Sequence, residues 1–385
     1  MAAMSRTAAL IDRARSATGL DRFGDGGFRE GLERLVTAAD GEARFHAMGA
    51  AAFDAQIVDL LGQRLRVEDW FARHPEIAEE QIVAPLIGLG LPRTGSTALA
   101  CLLGEDAQTR SLRNWEGMNP TPPPAFAPET VAPRIALAEA AMERRAALFP
   151  RMQQLLPSTA TSPTECQLFM GHDFKSQLFT AFAWVPSYAD WLEAEADLEP
   201  TYIYVKRVLQ LLQWKSPGPV RWRLKNPTHS LFITTLVKVF PGARFVMTHR
   251  AIADVIPSVA DVFYELSQAY SDHVDRPALA ELNATSWERA MRRMIAYRDR
   301  GNDQRFFDVA FRPFMRNPFP QLEALYAWLG EELTGETRSA MRAWRDGAPR
   351  EQAKRDADRF GIDPAALAAR FAFYHDRFSG VLDHG

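Results

Sequence analysis

The residues best equipped for chemistry lie in GLGLPRTGSTALACLL, from Gly88 to Leu103. Gly90, four residues, Gly95, Ser96 and Thr97 reproduce the spacing of a phosphate-binding loop. Such a loop normally carries Lys directly after its second glycine; here that position is Ser96, and the nearest cation is Arg93, inside the loop. Glycines let the backbone approach an anion, and N–H groups in the first helical turn have no helical partner. The pattern therefore predicts an anion site built from Arg93, Thr94, Gly95, Ser96 and Thr97. The alternative is a tight strand-to-helix turn without a ligand.

Two further stretches supply cations. In RLKNPTH, Lys225 and His229 would face the same cleft mouth from the end of a strand. Only six of the 45 cationic residues are Lys, so this chain uses Arg almost wherever either cation would serve. Lys225 thus reads as a selected point charge, against the alternative of a solvated strand end. In FVMTHRAIADVIPS, Arg250 ends a strand and Ser258 follows eight residues later, off the apolar stripe and on a face with Asp254 and Asp261. Pro257 is tolerable if the helix starts near Asp254. Arg250 and Ser258 would then clamp a second phosphate. Glu116 either serves the site or pairs with Arg110 or Arg113, and Glu165 and His172 are further polar candidates.

The elements that must position these residues alternate. VAPLIGLG (83–90), VRWRLK (220–225), ARFVMTH (243–249) and RFFDVAF (305–311) read as strands. STALACLLGED, THSLFITTLVKVF, IADVIPSVADVF and QLEALYAWLG read as helices. Alternation of this kind predicts an α/β fold, a parallel sheet flanked by helices, with ligands at the carboxyl ends of the strands. Residues 1–83 read as a helical N-terminal extension, 84–335 as the α/β domain and 336–385 as a helical segment packing on it. A helical insertion at about 127–216 carries Phe169, Phe174, Phe179, Phe182, Trp184, Tyr188 and Trp191, a set expected to be core or to line an apolar acceptor pocket. The stretch 119–133 holds six prolines and reads as a connector.

Composition narrows the function. A net charge of −3 gives no global field for nucleic acid or an anionic membrane, so an anionic ligand needs a local cluster. No apolar run approaches the roughly 20 residues of a membrane span, and the N-terminus lacks the apolar segment of a signal peptide. A cytoplasmic protein is expected. Cys101 and Cys166 are too far apart for a CxxC site and read as buried thiols.

Taken together, LPRTGSTAL, RLKNPTH and RFVMTHRAIADVIPS resemble the sulfotransferases that use 3′-phosphoadenosine-5′-phosphosulfate (PAPS). The likeness is to a bacterial branch with a WE…P.P pattern, here Trp115, Glu116, Pro120 and Pro122. It continues through SPTECQLF, VLQLLQW and FGIDPAAL…FAFY, covering about 84–378. The resemblance implies a P-loop-like fold in which residues 93–97 hold the 5′-phosphosulfate and Arg250 and Ser258 the 3′-phosphate. It also implies Lys225 at the bridging oxygen or sulfonate. Glu116 falls where some relatives place a general base, with His229 as runner-up; Arg93 joins Lys225 in stabilising charge. The implied reaction moves a sulfuryl group to a hydroxyl, less readily an amine, of a small, partly apolar acceptor and releases 3′,5′-ADP. No metal is required, and a homodimer is compatible with it. Three departures stand out: Ala251 and Ile252 replace Asp-Pro, Asn226 replaces Ser, and the stretch 350–356 lacks the His and Tyr of many relatives. The rival readings are a P-loop kinase or ATPase, which lacks its Lys here, and a non-catalytic protein that kept the fold.

Overall fold

The computed structural model describes residues 5–218, 220–348 and 357–382. The sequence departure at 350–356 lies outside the described residues. Five strands, β1 (Leu86–Leu89), β2 (Arg110–Ser111), β3 (Trp222–Lys225), β4 (Arg244–His249) and β5 (Phe306–Ala310), form one parallel sheet in the order β2-β3-β1-β4-β5. All four positions of β1 and of β3 are buried, as expected for strands covered on both faces. β2 was not expected. It is two residues long and holds its place only by pairing Arg110 with Trp222 and Ser111 with Arg223, so no apolar run announces it.

Three helices precede the sheet: α1 (Arg6–Thr18), α2 (Phe28–Glu42) and α3 (Ala47–Arg73). Helix α4 (Ser96–Leu103) follows β1, and α5 (Asn114–Met118) follows β2. The insertion between β2 and β3 consists of α6 (Val131–Leu148), α7 (Pro150–Leu155), α8 (Gln167–Gly171), α9 (Leu178–Phe182), α10 (Pro186–Ala194) and α11 (Glu199–Gln213). A 3₁₀ turn (Pro227–Phe232) and α12 (Ile233–Val239) join β3 to β4, dividing the single helix expected over 228–240. Between β4 and β5 run α13 (Ile252–Ser267) and α14 (Arg276–Tyr297). The chain continues through α15 (Phe311–Arg316), α16 (Phe319–Leu329), α17 (Gly335–Gly347), α18 (Pro364–Arg370) and α19 (Ala372–Leu382).

Alternating side chains of the sheet feed two cores. Ile87, Leu89, Phe245 and Met247 enter the larger one, together with Phe28 and Phe53 from the first helices, Phe174 and Tyr202 from the insertion, and Tyr374 and Phe378 from α19. Leu86, Val246 and Val309 face the other way, against Leu99 and Leu102 of α4, Leu322 of α16 and Met341 of α17. Both terminal segments are thus built into the cores of the sheet. A buried ion pair, Arg64 to Asp173 at 2.9 Å, also ties α3 to the insertion.

The aromatics of the insertion are consumed by this packing. Phe169, Phe174, Phe179, Phe182, Tyr188 and Trp191 are buried, and Phe174 stacks on Phe179. Of the two roles expected for them, the structure gives these six the core. His172 is likewise buried against the Tyr204 hydroxyl, and burial lowers its pKa to about 3.

Candidate active site

Strand order brings the three motif stretches together. β1 lies between β3 and β4, all parallel, so their carboxyl ends open side by side. Register makes this concrete: Gly88 is level with Lys225, and Leu89 with Met247. The loop after β1 begins at Gly90, with φ at 110°, whose N–H donates to Ser230 Oγ at 2.8 Å. A Cβ there would lie 2.8 Å from Met247 Cγ, so the position requires glycine sterically as well as conformationally. Arg93 (φ 61°) and Gly95 (φ 89°) are also left-handed. Left-handed residues interleaved in a turn gather successive N–H groups around one concavity, which suits an anion.

Side chains of the loop divide the work. The Thr94 hydroxyl is buried, donating to Leu91 O at 2.8 Å and lying 2.5 Å from Thr248 Oγ1. It braces the loop on β4, so only its backbone is available to a ligand. Gly95 caps α4, and Ser96 and Thr97 open that helix. Thr97 is exposed and accepts a hydrogen bond from Lys225 Nζ at 3.0 Å. Arg93 reaches the other way: its Nε donates to Ser258 Oγ at 3.0 Å, while Arg250 Nη1 donates to Arg93 O at 3.0 Å. Arg250 also pairs with Asp254 at 3.2 Å.

Helix α13 starts at Ile252, two residues before the expected Asp254, so Pro257 lies within it. Ser258 is buried one residue later and faces Arg93. The strand end that carries Arg250 is anchored by its neighbour. His249 Nε2 is 2.8 Å from Asp308 Oδ1 and its Nδ1 is 3.2 Å from the Tyr374 hydroxyl of α19. Burial lowers the His249 pKa although Asp308 opposes the shift. Burial alone would raise the Asp308 carboxyl, but hydrogen bonds from Arg298 and His249 hold it well below the usual carboxylate range.

Two expected bases occupy other positions. Glu116 is buried in α5, where one carboxylate oxygen pairs with Arg110 and the other accepts the Arg113 N–H at 3.0 Å. Pairing with Arg110 is one of the alternatives weighed from sequence, and together with the Arg113 N–H it commits the carboxylate to the start of α5. His229 is fully enclosed; its Nδ1 is 2.9 Å from the Tyr202 hydroxyl, and burial lowers its pKa to about 3. It is a neutral core imidazole. The carboxylate that does meet Lys225 is Glu165, with Oε1 3.0 Å from Nζ and about a third of its side chain exposed. Backbone pairing brings it there: Thr164 N donates to Leu112 O at 2.8 Å, and Cys166 N to Lys225 O at 3.2 Å. No local pattern around SPTECQLF signals these contacts, because both partners are distant in sequence.

A cleft of about 650 Å³ opens elsewhere, between α3, α5 and α6, lined by Gln63, Trp70, Trp115, Met118, Arg134 and Leu137 among others. None of the loop residues, Lys225 or Arg250 lines it. Arg93, Lys225 and Arg250 meet at the loop and not in this opening. Cys101 and Cys166 are buried, with pKa values raised by burial to about 11 and about 12. Among the described residues, no group of three or more His, Cys, Asp or Glu is placed to hold a metal ion, and no helix is long and apolar enough to cross a membrane.

A model of the sulfotransferase family matches residues 85–335. The crystal structure of sulfotransferase STF9 from Mycobacterium avium superposes with a TM-score of 0.90 at 31% identity, covering 98% of both chains. Sulfotransferase STF1 from Mycobacterium tuberculosis gives 0.84 at 28% identity, covering 95% of this chain and 98% of that one. Among curated proteins, the omega-hydroxy-beta-dihydromenaquinone-9 sulfotransferase Stf3 of Mycobacterium bovis is 27% identical over 152 residues. That match spans 38% of either chain.

Proposed function

The chain belongs to the sulfotransferase family, and we propose that it moves a sulfuryl group from PAPS to a hydroxyl, less readily an amine, of a small and partly apolar acceptor, releasing 3′,5′-ADP. The observation that carries the donor reading is the convergence of Arg93, Lys225, Arg250 and Ser258 at three neighbouring strand ends, with Arg93 bonded to Ser258. One donor molecule with anions at its 5′ and 3′ positions fits two cationic subsites this close together. An ATP-type reading lacks the Lys at Ser96.

PAPS supplies an activated sulfonate on a phosphate leaving group; the chain supplies position and charge. The backbone of residues 93–97, with Ser96 and Thr97 in the first turn of α4, holds the 5′ anion. Arg250 and Ser258 hold the 3′-phosphate. Lys225 and Arg93 offset charge that builds on the leaving oxygen and the sulfonate. A sulfonate carries less charge than a terminal phosphate, so cations and N–H groups suffice without a metal.

Glu165 takes the proton of the acceptor hydroxyl in this reading. It is the carboxylate against Lys225 and is open to solvent. The curated relative acts, by its name, on an omega-hydroxylated dihydromenaquinone, which supports an alcohol on a partly apolar molecule here. The acceptor is small, the setting cytoplasmic, and no nucleic acid is involved. Thermal-shift binding of 3′,5′-ADP, PAPS, ATP and ADP side by side tests the donor. Stabilisation confined to the 3′-phosphorylated nucleotides is expected; equal or greater stabilisation by ATP would overturn the reading.

A further inference from the structure

The residue that links the two anion subsites from behind is Phe311, at the start of α15, in a stretch no motif marks. The Arg250 guanidinium lies over its ring, 4.3 Å from the centroid. The same ring abuts the phosphate loop: a Cβ added to Gly95 would lie 3.1 Å from Phe311 Cδ2 and 3.3 Å from Cε2. Gly95 is therefore glycine for two reasons, its φ of 89° and the aromatic edge beside it. Contacts of different kinds locate the Arg250 guanidinium. Asp254 takes its Nε, the Arg93 carbonyl takes Nη1, and the face of the Phe311 ring lies against Cζ. Hydrogen bonds at the edge of a guanidinium fix its in-plane orientation, whereas an aromatic face fixes the plane itself.

We propose that Phe311 is a positioning residue for donor specificity: by setting the plane of Arg250 against the loop, it determines how strongly the protein distinguishes a 3′-phosphorylated nucleotide from one without that phosphate. This rests on the PAPS reading above. The chain reaches Phe311 directly from β5, whose last residue, Ala310, pairs with His249, the residue before Arg250. Phe311 and Arg250 thus each follow directly after one of two neighbouring, paired strands. A flexible loop could not hold the two groups in fixed relation so cheaply.

A ring that serves only as packing would, when removed, weaken all nucleotides alike. A ring that sets Arg250 would weaken only those that use Arg250. The test is calorimetric binding of 3′,5′-ADP and 5′-AMP to the full chain, as wild type and as Phe311→Leu, Phe311→Met and Phe311→Tyr. Wild type is expected to prefer 3′,5′-ADP at least tenfold. Phe311→Leu and Phe311→Met should lose about 3- to 30-fold of that preference through weaker 3′,5′-ADP binding. Their 5′-AMP affinity should change less than twofold, and Phe311→Tyr should keep the preference. Met retains volume without a π face, so it reports even if Leu compromises folding. An unchanged preference in both ring-less variants, or equal loss for both nucleotides, overturns the proposal while leaving the donor reading intact. Absence of a preference in wild type overturns the donor reading and this proposal with it.

Discussion

Arg93 Nε donates to Ser258 Oγ over 3.0 Å, joining residues 165 positions apart in the chain. The arginine of the phosphate loop and the serine assigned to the second phosphate are therefore one hydrogen-bonded unit. Ser258→Ala should weaken 3′,5′-ADP binding by about tenfold, the worth of a hydrogen bond to a charged group. Arg93→Gln and Ser258→Ala should be non-additive, coupled by about 0.5–3 kcal/mol in a double-mutant cycle of PAPS binding. Strict additivity would show that the contact carries no energy.

Lys225 bridges Thr97 of the loop and Glu165 of the insertion. Removing a preorganised charge donor typically costs about 10²–10³-fold in turnover. Lys225→Ala should lose that much in kcat with a smaller effect on nucleotide affinity. Arg250→Ala should do the reverse, raising KM for PAPS more than it lowers kcat. Steady-state kinetics in both substrates separates the two cases.

The two glutamates give opposite expectations. Glu165→Gln should reduce turnover by about 10²–10⁴-fold, the usual contribution of a general base, with stability little changed. Glu116→Gln should keep most turnover but lower Tm by several degrees. Its two oxygens hold Arg110 and the Arg113 N–H, and loss of a helix cap alone costs about 1 kcal/mol. Near-normal turnover in Glu165→Gln with inactive Glu116→Gln would restore the assignment made from sequence.

His172 and His229 have pKa values lowered by burial to about 3. The unfolded chain then binds more protons than the folded one between the ordinary histidine pKa of about 6.5 and about 3. Stability from these groups is full above about pH 6.5 and falls as pH drops toward 3. Urea unfolding from pH 7 to pH 4.5 should show that decline, and His229→Gln should flatten part of it. A stability curve flat over this range would mean that the two rings are not held neutral by burial.

Much of this protein is written locally. Apolar runs ending in Gly, Lys or His locate β1, β3 and β4, and helical stripes locate α4 and α13, because period and turn residues act over a few positions. The loop 90–97 with Lys225, Arg250 and Ser258 is legible for the same reason. Since parallel strands open their carboxyl ends on one side, motifs at strand ends must converge. What sequence could not decide is which neighbour each polar group meets. Glu116 has Arg110 and Arg113 close by in sequence and is held by both, whereas Glu165 has no Lys or Arg near it in sequence and reaches Lys225 through the pairing of Leu112 with Thr164 and of Lys225 with Cys166. His229 opens the apolar stretch that continues through Leu231, Phe232 and Ile233, and the chain folds Tyr202 onto it. Phe311 gains its place only because β5 lies beside β4. Local interactions fix the elements and their ends; long-range backbone pairing and burial, which depend on the whole chain closing, decide which side chains are left to face a substrate.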